Sequence, residues 1–148
     1  MSKENTKIKV GIVGYGNLGR GVEMAVKQTD DIELVAVFTR RNPQDVKAGV
    51  KVDSIDNIAD YKGKIDVMIL CGGSATDLPE QGPKMASMFN TVDSFDTHAR
   101  IPEYFAKVDE AGKKSGCLNL ISTGWDPGLF SLSRVLFESV LPEGKSYT

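Results

Sequence analysis

Four near-continuous apolar runs, IKVGIVG (8–14), IELVAVFT (32–39), IDVMILCGG (65–73) and LNLIST (118–123), alternate with stretches in which apolar residues recur at helical spacing. Such runs read as strands buried on both faces, and strands separated by helices cross over to pair in parallel. The helical stretches are marked by Leu18, Val22, Ala25 and Val26, then Met85, Ala86 and Phe89, then Tyr104, Phe105, Val108 and Ala111. TVDSF (91–95) adds a strand, and KVDSID (51–56) holds a weaker one inside a polar connection. The predicted class is α/β, a doubly wound parallel sheet with helices on both faces.

The first run ends in GYGNLG (14–19), which places Gly14, Gly16 and Gly19 in GxGxxG spacing between a strand and an amphipathic helix. Alone the spacing is weak, but in that setting it is the fingerprint of a Rossmann-like dinucleotide-binding domain. Gly14 serves the tight turn, Gly16 the close approach of pyrophosphate, and Gly19 the packing of helix on strand. The free N–H groups at the helix start favour phosphate. An acid at the end of the second strand would hold the ribose 2′-hydroxyl of NAD, yet the chain reads VFTRRN there. Thr39, Arg40 and Arg41 instead suit a 2′-phosphate, which predicts NADP(H) as cofactor.

Ligands of an open parallel sheet bind beyond the carboxyl ends of its strands, so the remaining candidates lie where the later runs end. In CGGSATDLPEQGP (71–83) the small residues leave room for a ribose or nicotinamide, and Thr76 or Asp77 is placed to cap the next helix. The candidate cofactor-binding residues are Gly14, Tyr15, Gly16, Asn17, Leu18, Gly19, Thr39, Arg40, Arg41, Cys71, Gly72, Gly73, Ser74, Ala75 and Thr76. VDSFDTHAR and STGWDPG each carry a carboxylate just past a strand, Asp96 and Asp126. Two carboxylates beside a nicotinamide suit an ammonium, whose proton must leave before its carbon is oxidised. Trp125 reads as a pocket wall. His98, the single histidine, is a candidate base, although a lone loop histidine reads more readily as a hydrogen-bonded surface residue.

A chain of 148 residues with 41% hydrophobic and 26% charged residues has the length of one domain, and a net charge of −2 gives no footprint for nucleic acid. No apolar run approaches a membrane span, and the polar start MSKENTKIK lacks a secretory core, so the expected location is the cytoplasm. Cys71 and Cys117 show neither CxxC nor metal spacing and are expected as free thiols in the core, with no metal site. After WDPG comes a last apolar helix, along Leu129, Leu132, Val135, Leu136 and Val140, for which Asp126 is the expected cap and Pro127 the first-turn residue; Pro142 and Gly144 would end it. Nothing follows to cover that helix. The expected division is therefore a dinucleotide-binding domain over 1–124 and, over 125–148, the start of a connection into a missing substrate and dimerisation domain.

Taken together, VGIVGYGNLGRGVE, VFTRRN, CGGSATDLPEQGPK, TVDSFDTHARIPEY and LISTGWDPGLFSLSRVL resemble the meso-diaminopimelate dehydrogenase family, from about residue 7 onward. SATDLPEQ and STGWDPG are its distinctive segments. The resemblance implies reversible NADP-dependent oxidative deamination of meso-2,6-diaminopimelate at its D-centre. The products would be L-2-amino-6-oxopimelate, cyclising to tetrahydrodipicolinate, with ammonia and NADPH, in lysine and cell-wall precursor metabolism. It implies further that Asp96 and Asp126 hold the reacting amino end, that Trp125 lines the substrate pocket, that Thr39, Arg40 and Arg41 hold the 2′-phosphate, and that the full-length form is a homodimer. Family members often read Asp-Asn-His where this chain has Asp96-Thr97-His98, and they are about twice as long. The alternatives are an NADP(H)-binding module without catalysis of its own, or another Rossmann oxidoreductase acting on an amino acid or aldehyde.

Overall fold

The computed structural model describes residues 7–141 and 143. Six strands, β1 (Ile8–Val13), β2 (Ile32–Thr39), β3 (Lys51–Ser54), β4 (Val67–Leu70), β5 (Asn90–Asp93) and β6 (Asn119–Leu120), form one sheet in the order β3-β2-β1-β4-β5-β6. Every pairing is parallel. The chain first winds outward from β1 to β3 and then returns past β1 to β4. The break in strand order lies between β1 and β4, the place where an open α/β sheet leaves a crevice.

The apolar runs divide by period-2 alternation between two cores. Val13, Phe38, Met68 and Leu70 join Leu78, Met85, Tyr104 and Val108, which come from α2 (Leu78–Ala86) and α3 (Ile101–Ser115). Ile12, Val37 and Tyr15 pack with Val46 and Val22, the latter from α1 (Asn17–Val26), on the other face. Crossovers of one hand require this arrangement, because connections running in opposite directions along the sheet fall on opposite faces.

Three details depart from the sequence expectations. The later strands are shorter than their apolar runs, β6 having only two residues, because their ends are captured by side chains before the ladder can continue. Leu18 (46% exposed), Phe105 (56% exposed) and Ala25 lie outside the core. On α1 the buried face is Gly19, Glu23 and Val26, since the helix docks through its glycine and a carboxylate. Cys71 and Cys117 are free thiols but only half-buried, Cys117 lying in the turn after α3. The last helix, α4 (Leu129–Val140), buries none of its residues. Its expected stop at Pro142 and Gly144 lies outside the described residues.

Candidate functional site

The GxGxxG turn is held from both sides. Gly14 has φ +91°, a left-handed conformation that favours glycine, and its amide donates to the Phe38 carbonyl at 2.9 Å. A Cβ on Gly19 would stand 2.3 Å from the Gly14 carbonyl oxygen, whereas one on Gly16 would meet nothing within 4 Å. One glycine is thus needed for packing, and the other faces open space. Above them is a cleft of about 310 Å³, walled by Gly14, Tyr15 and Gly16, by Thr39, Arg40 and Arg41, and by Cys71, Gly72, Gly73 and Asp77. It lies at the break in strand order, beside the start of α1, whose first amides have no partner within the helix.

The cationic edge is preorganised. The Arg41 amide donates to Thr39 Oγ1 at 3.1 Å, and its guanidinium donates from Nη2 to the Tyr15 carbonyl at 2.8 Å. Arg40 Nη1 lies 2.9 Å from Asp77 Oδ1. Beneath the edge the Tyr15 hydroxyl donates to Glu23, which also accepts from the Gly49 amide at 2.8 Å and from Lys27 Nζ at 2.7 Å. The Lys27 bond first, and then Tyr15, hold the Glu23 carboxyl below the usual range; the Glu23 contact, followed by burial, raises the Tyr15 phenol. Burial pushes the Cys71 thiol up to about 12, so it stands in the cleft wall as a neutral group.

Ten residues wall this cleft, nine of them anticipated; the tenth is Asp77. Asp77 occupies the N-cap position of α2 but caps nothing with its side chain, because its carboxylate turns back to the Gly73 amide (3.0 Å) and to Arg40. Ser74, anticipated for the cofactor, faces the next loop instead: its Oγ accepts from the amides of Asp96 (2.8 Å) and Thr97 (3.1 Å). Asn17, Leu18, Gly19, Ala75 and Thr76 flank the cleft in sequence without walling it.

The second half of the site hangs on a buried acid that the motif reading missed. Asp93, at the end of β5, accepts from the amides of Phe95 and Ser122 at 3.0 Å each and from the Tyr104 hydroxyl at 2.5 Å. Its backbone carbonyl accepts from Thr123 N and Oγ1 at 2.8 and 2.7 Å. Asp93 therefore carries the contact between the two segments on past the short β5–β6 ladder, which pairs Thr91 with Asn119 and Val92 with Leu120. It fixes the loop carrying Asp96 and His98 relative to the loop carrying Trp125 and Asp126. Ser122 takes a left-handed φ of 58° to meet it.

Asp96 is exposed at this end. Asp126 does not cap α4, because Gly128 holds that position and Pro127 precedes the helix; the carboxylate is bound by Arg134, lies 3.2 Å from His98 Nε2 and 3.4 Å from Ser131 Oγ. Arg134, above all, keeps the Asp126 carboxyl below its usual range. The Trp125 indole is largely exposed and packs against Phe130 at 5.2 Å between ring centroids.

No protein-family model matches the chain. Against curated proteins, it is 66% identical over 145 residues, 97% of its length, to the meso-diaminopimelate D-dehydrogenase of Ureibacillus thermosphaericus. The chain belongs to the meso-diaminopimelate D-dehydrogenase family, in its amino-terminal part. It spans about 44% of the length of that relative. Among solved structures, a meso-DAP dehydrogenase mutant from Clostridium tetani E88 with DAP matches with TM-score 0.84 and 62% identity, over 95% of this chain and 44% of that one. An engineered D-amino acid dehydrogenase bound to NADP+ matches with TM-score 0.84 and 44% identity, over 91% and 42% respectively. These two dehydrogenases thus share the fold of this chain over more than nine-tenths of its length.

Proposed function

We propose that the chain is the cofactor-binding part of an NADP-dependent meso-diaminopimelate dehydrogenase, which reversibly deaminates the D-centre of meso-2,6-diaminopimelate. Water is consumed; L-2-amino-6-oxopimelate, ammonia and NADPH are formed, and the oxo product cyclises to tetrahydrodipicolinate. The observation that carries the reading is the cleft at the break in strand order, with an open Gly16 in its floor and Arg40 and Arg41 at its edge, in a chain 66% identical to such an enzyme. When bound, NADP+ supplies the acceptor for the electron pair that leaves the amine-bearing carbon.

The chain's own residues supply the binding and the charge. Gly14 and Gly16 keep the floor of the cleft clear, the start of α1 offers amides to phosphate, and Thr39, Arg40 and Arg41 take the 2′-phosphate. Asp96 and Asp126 hold the reacting ammonium. A carboxylate kept as acidic as Asp126 serves better as a counter-charge than as a base. Residues 1–124 form the nucleotide unit, and 125–148 begin the connection to the remainder of the enzyme. We further place the full-length protein in the cytoplasm as a homodimer acting on a small molecule.

The test is Asp126→Asn in the complete enzyme. Asparagine keeps the shape and removes the charge, so kcat/KM for diaminopimelate should fall by orders of magnitude while the Kd for NADPH stays within about twofold. Near-normal turnover would overturn the role given to Asp126.

A further inference from the structure

Arg40 and Asp77 face each other across the candidate cofactor cleft, one after β2 and the other before α2. The Arg40 side chain is 66% exposed, whereas the Asp77 side chain is 15% exposed. The carboxylate is fully engaged on two sides: Oδ1 on Arg40 Nη1 at 2.9 Å and Oδ2 on the Gly73 amide at 3.0 Å. It stands at a helix N-cap yet makes no capping bond. Arg41 differs, because among the described residues its guanidinium is held by a carbonyl, that of Tyr15, and by no carboxylate.

We propose that Asp77 is a specificity-determining residue of this cleft: an internal carboxylate that holds Arg40 and must yield it to a ribose 2′-phosphate. The inference rests on reading the cleft as an NADP(H) site. A phosphate monoester carries more charge than a carboxylate and offers three acceptor oxygens, so it can take the guanidinium from Asp77. The neutral 2′-hydroxyl of NAD(H) has no such hold on Arg40. Asp77 therefore offsets part of the attraction for NADP(H) and none of that for NAD(H). The carboxylate narrows the preference between the two cofactors and hastens release of the phosphorylated one, while Arg41 keeps its full attraction.

Asp77→Asn retains an acceptor for the Gly73 amide and removes the charge. Calorimetric titration of this chain with NADPH and NADH at low salt separates the outcomes. For NADPH the variant should bind about two- to fivefold more tightly, the range set by partly exposed ion pairs, while NADH is unchanged. In an Arg40→Ala background the same change should give a smaller gain, because no guanidinium remains to be released. Raising the ionic strength to about 0.5 M should remove most of the gain. Unchanged or weaker NADPH binding by Asp77→Asn, beside normal binding by the unaltered chain, would overturn the inference and leave the cofactor reading standing. Failure of the unaltered chain to bind NADPH would overturn both.

Discussion

Glu23 is a carboxylate turned into the interior of a helix–sheet contact, where Lys27, Tyr15 and the Gly49 amide converge on it. Through Tyr15, whose carbonyl receives Arg41, it braces the cationic edge of the cleft. Its folded-state acidity is increased, so its contribution to stability is complete above the ordinary value of 4.5 and is lost as pH falls through the lower folded-state value. Glu23→Gln should therefore lower the Tm at neutral pH, with the gap to the unaltered chain narrowing as pH falls below 4.5. Thermal melts across that range check this, and a gap independent of pH would contradict it. The residues hardest to read from sequence are of this kind. Glu23 and Asp93 look like surface acids until the fold brings amides and hydroxyls to them, whereas Gly14, Gly16 and the paired arginines announce themselves because their spacing along the chain is itself the signal. Asp77 and Asp126 were legible as positions but not in their partners: Arg40, distant in sequence, draws Asp77 away from its helix, and Arg134, within α4, binds Asp126 by its side chain where a backbone cap was expected.

Within the strand–turn–helix element of β1 and α1, two glycines separate folding from binding. Gly19→Ala places a methyl 2.3 Å from a backbone oxygen that cannot withdraw, and should destabilise the chain by about 1–3 kcal/mol or more, as overpacked contacts do. Gly16→Ala adds its methyl to open space in an extended conformation with φ −92°; its Tm should hold while NADPH affinity falls at least tenfold. Melting and titration of the two variants check this, and equal losses of stability would show that the open floor is structural. The positions of β1 and β2 follow from their apolar runs, because backbone pairing continues wherever both faces stay buried. The ends of β4, β5 and β6 do not, since Asp77 and Asp93 intercept amides that the hydrophobic pattern assigns to strands. The same limit explains α1, whose inward face is chosen by the closeness of Gly19 to Gly14 and not by its most apolar stripe.

Across the described residues, the two cores are closed by residues up to Ile121, just past β6, and α4 adds no buried side chain to either. Leu132, Val135, Leu136, Phe137 and Val140 all stand exposed along it. A chain ending at residue 124 should accordingly keep its Tm within about 3 °C and its NADPH affinity within twofold, while binding less of a dye that reports apolar surface. A large fall in Tm on removal of 125–148 would show that the division lies elsewhere. The strand order has a further consequence for the sequence of events during synthesis. The central strand, β1, is made first, and its second neighbour, β4, emerges only after β3 has been laid on the far edge. Asp77, the last residue to wall the cleft, follows β4 at once, whereas Asp96 and Asp126 come later. At roughly 5–20 residues per second, a ribosome spends several seconds between Asp77 and Asp126. During that interval every residue that walls the cleft has already been made, while the loops carrying Asp96 and Asp126 are still being translated.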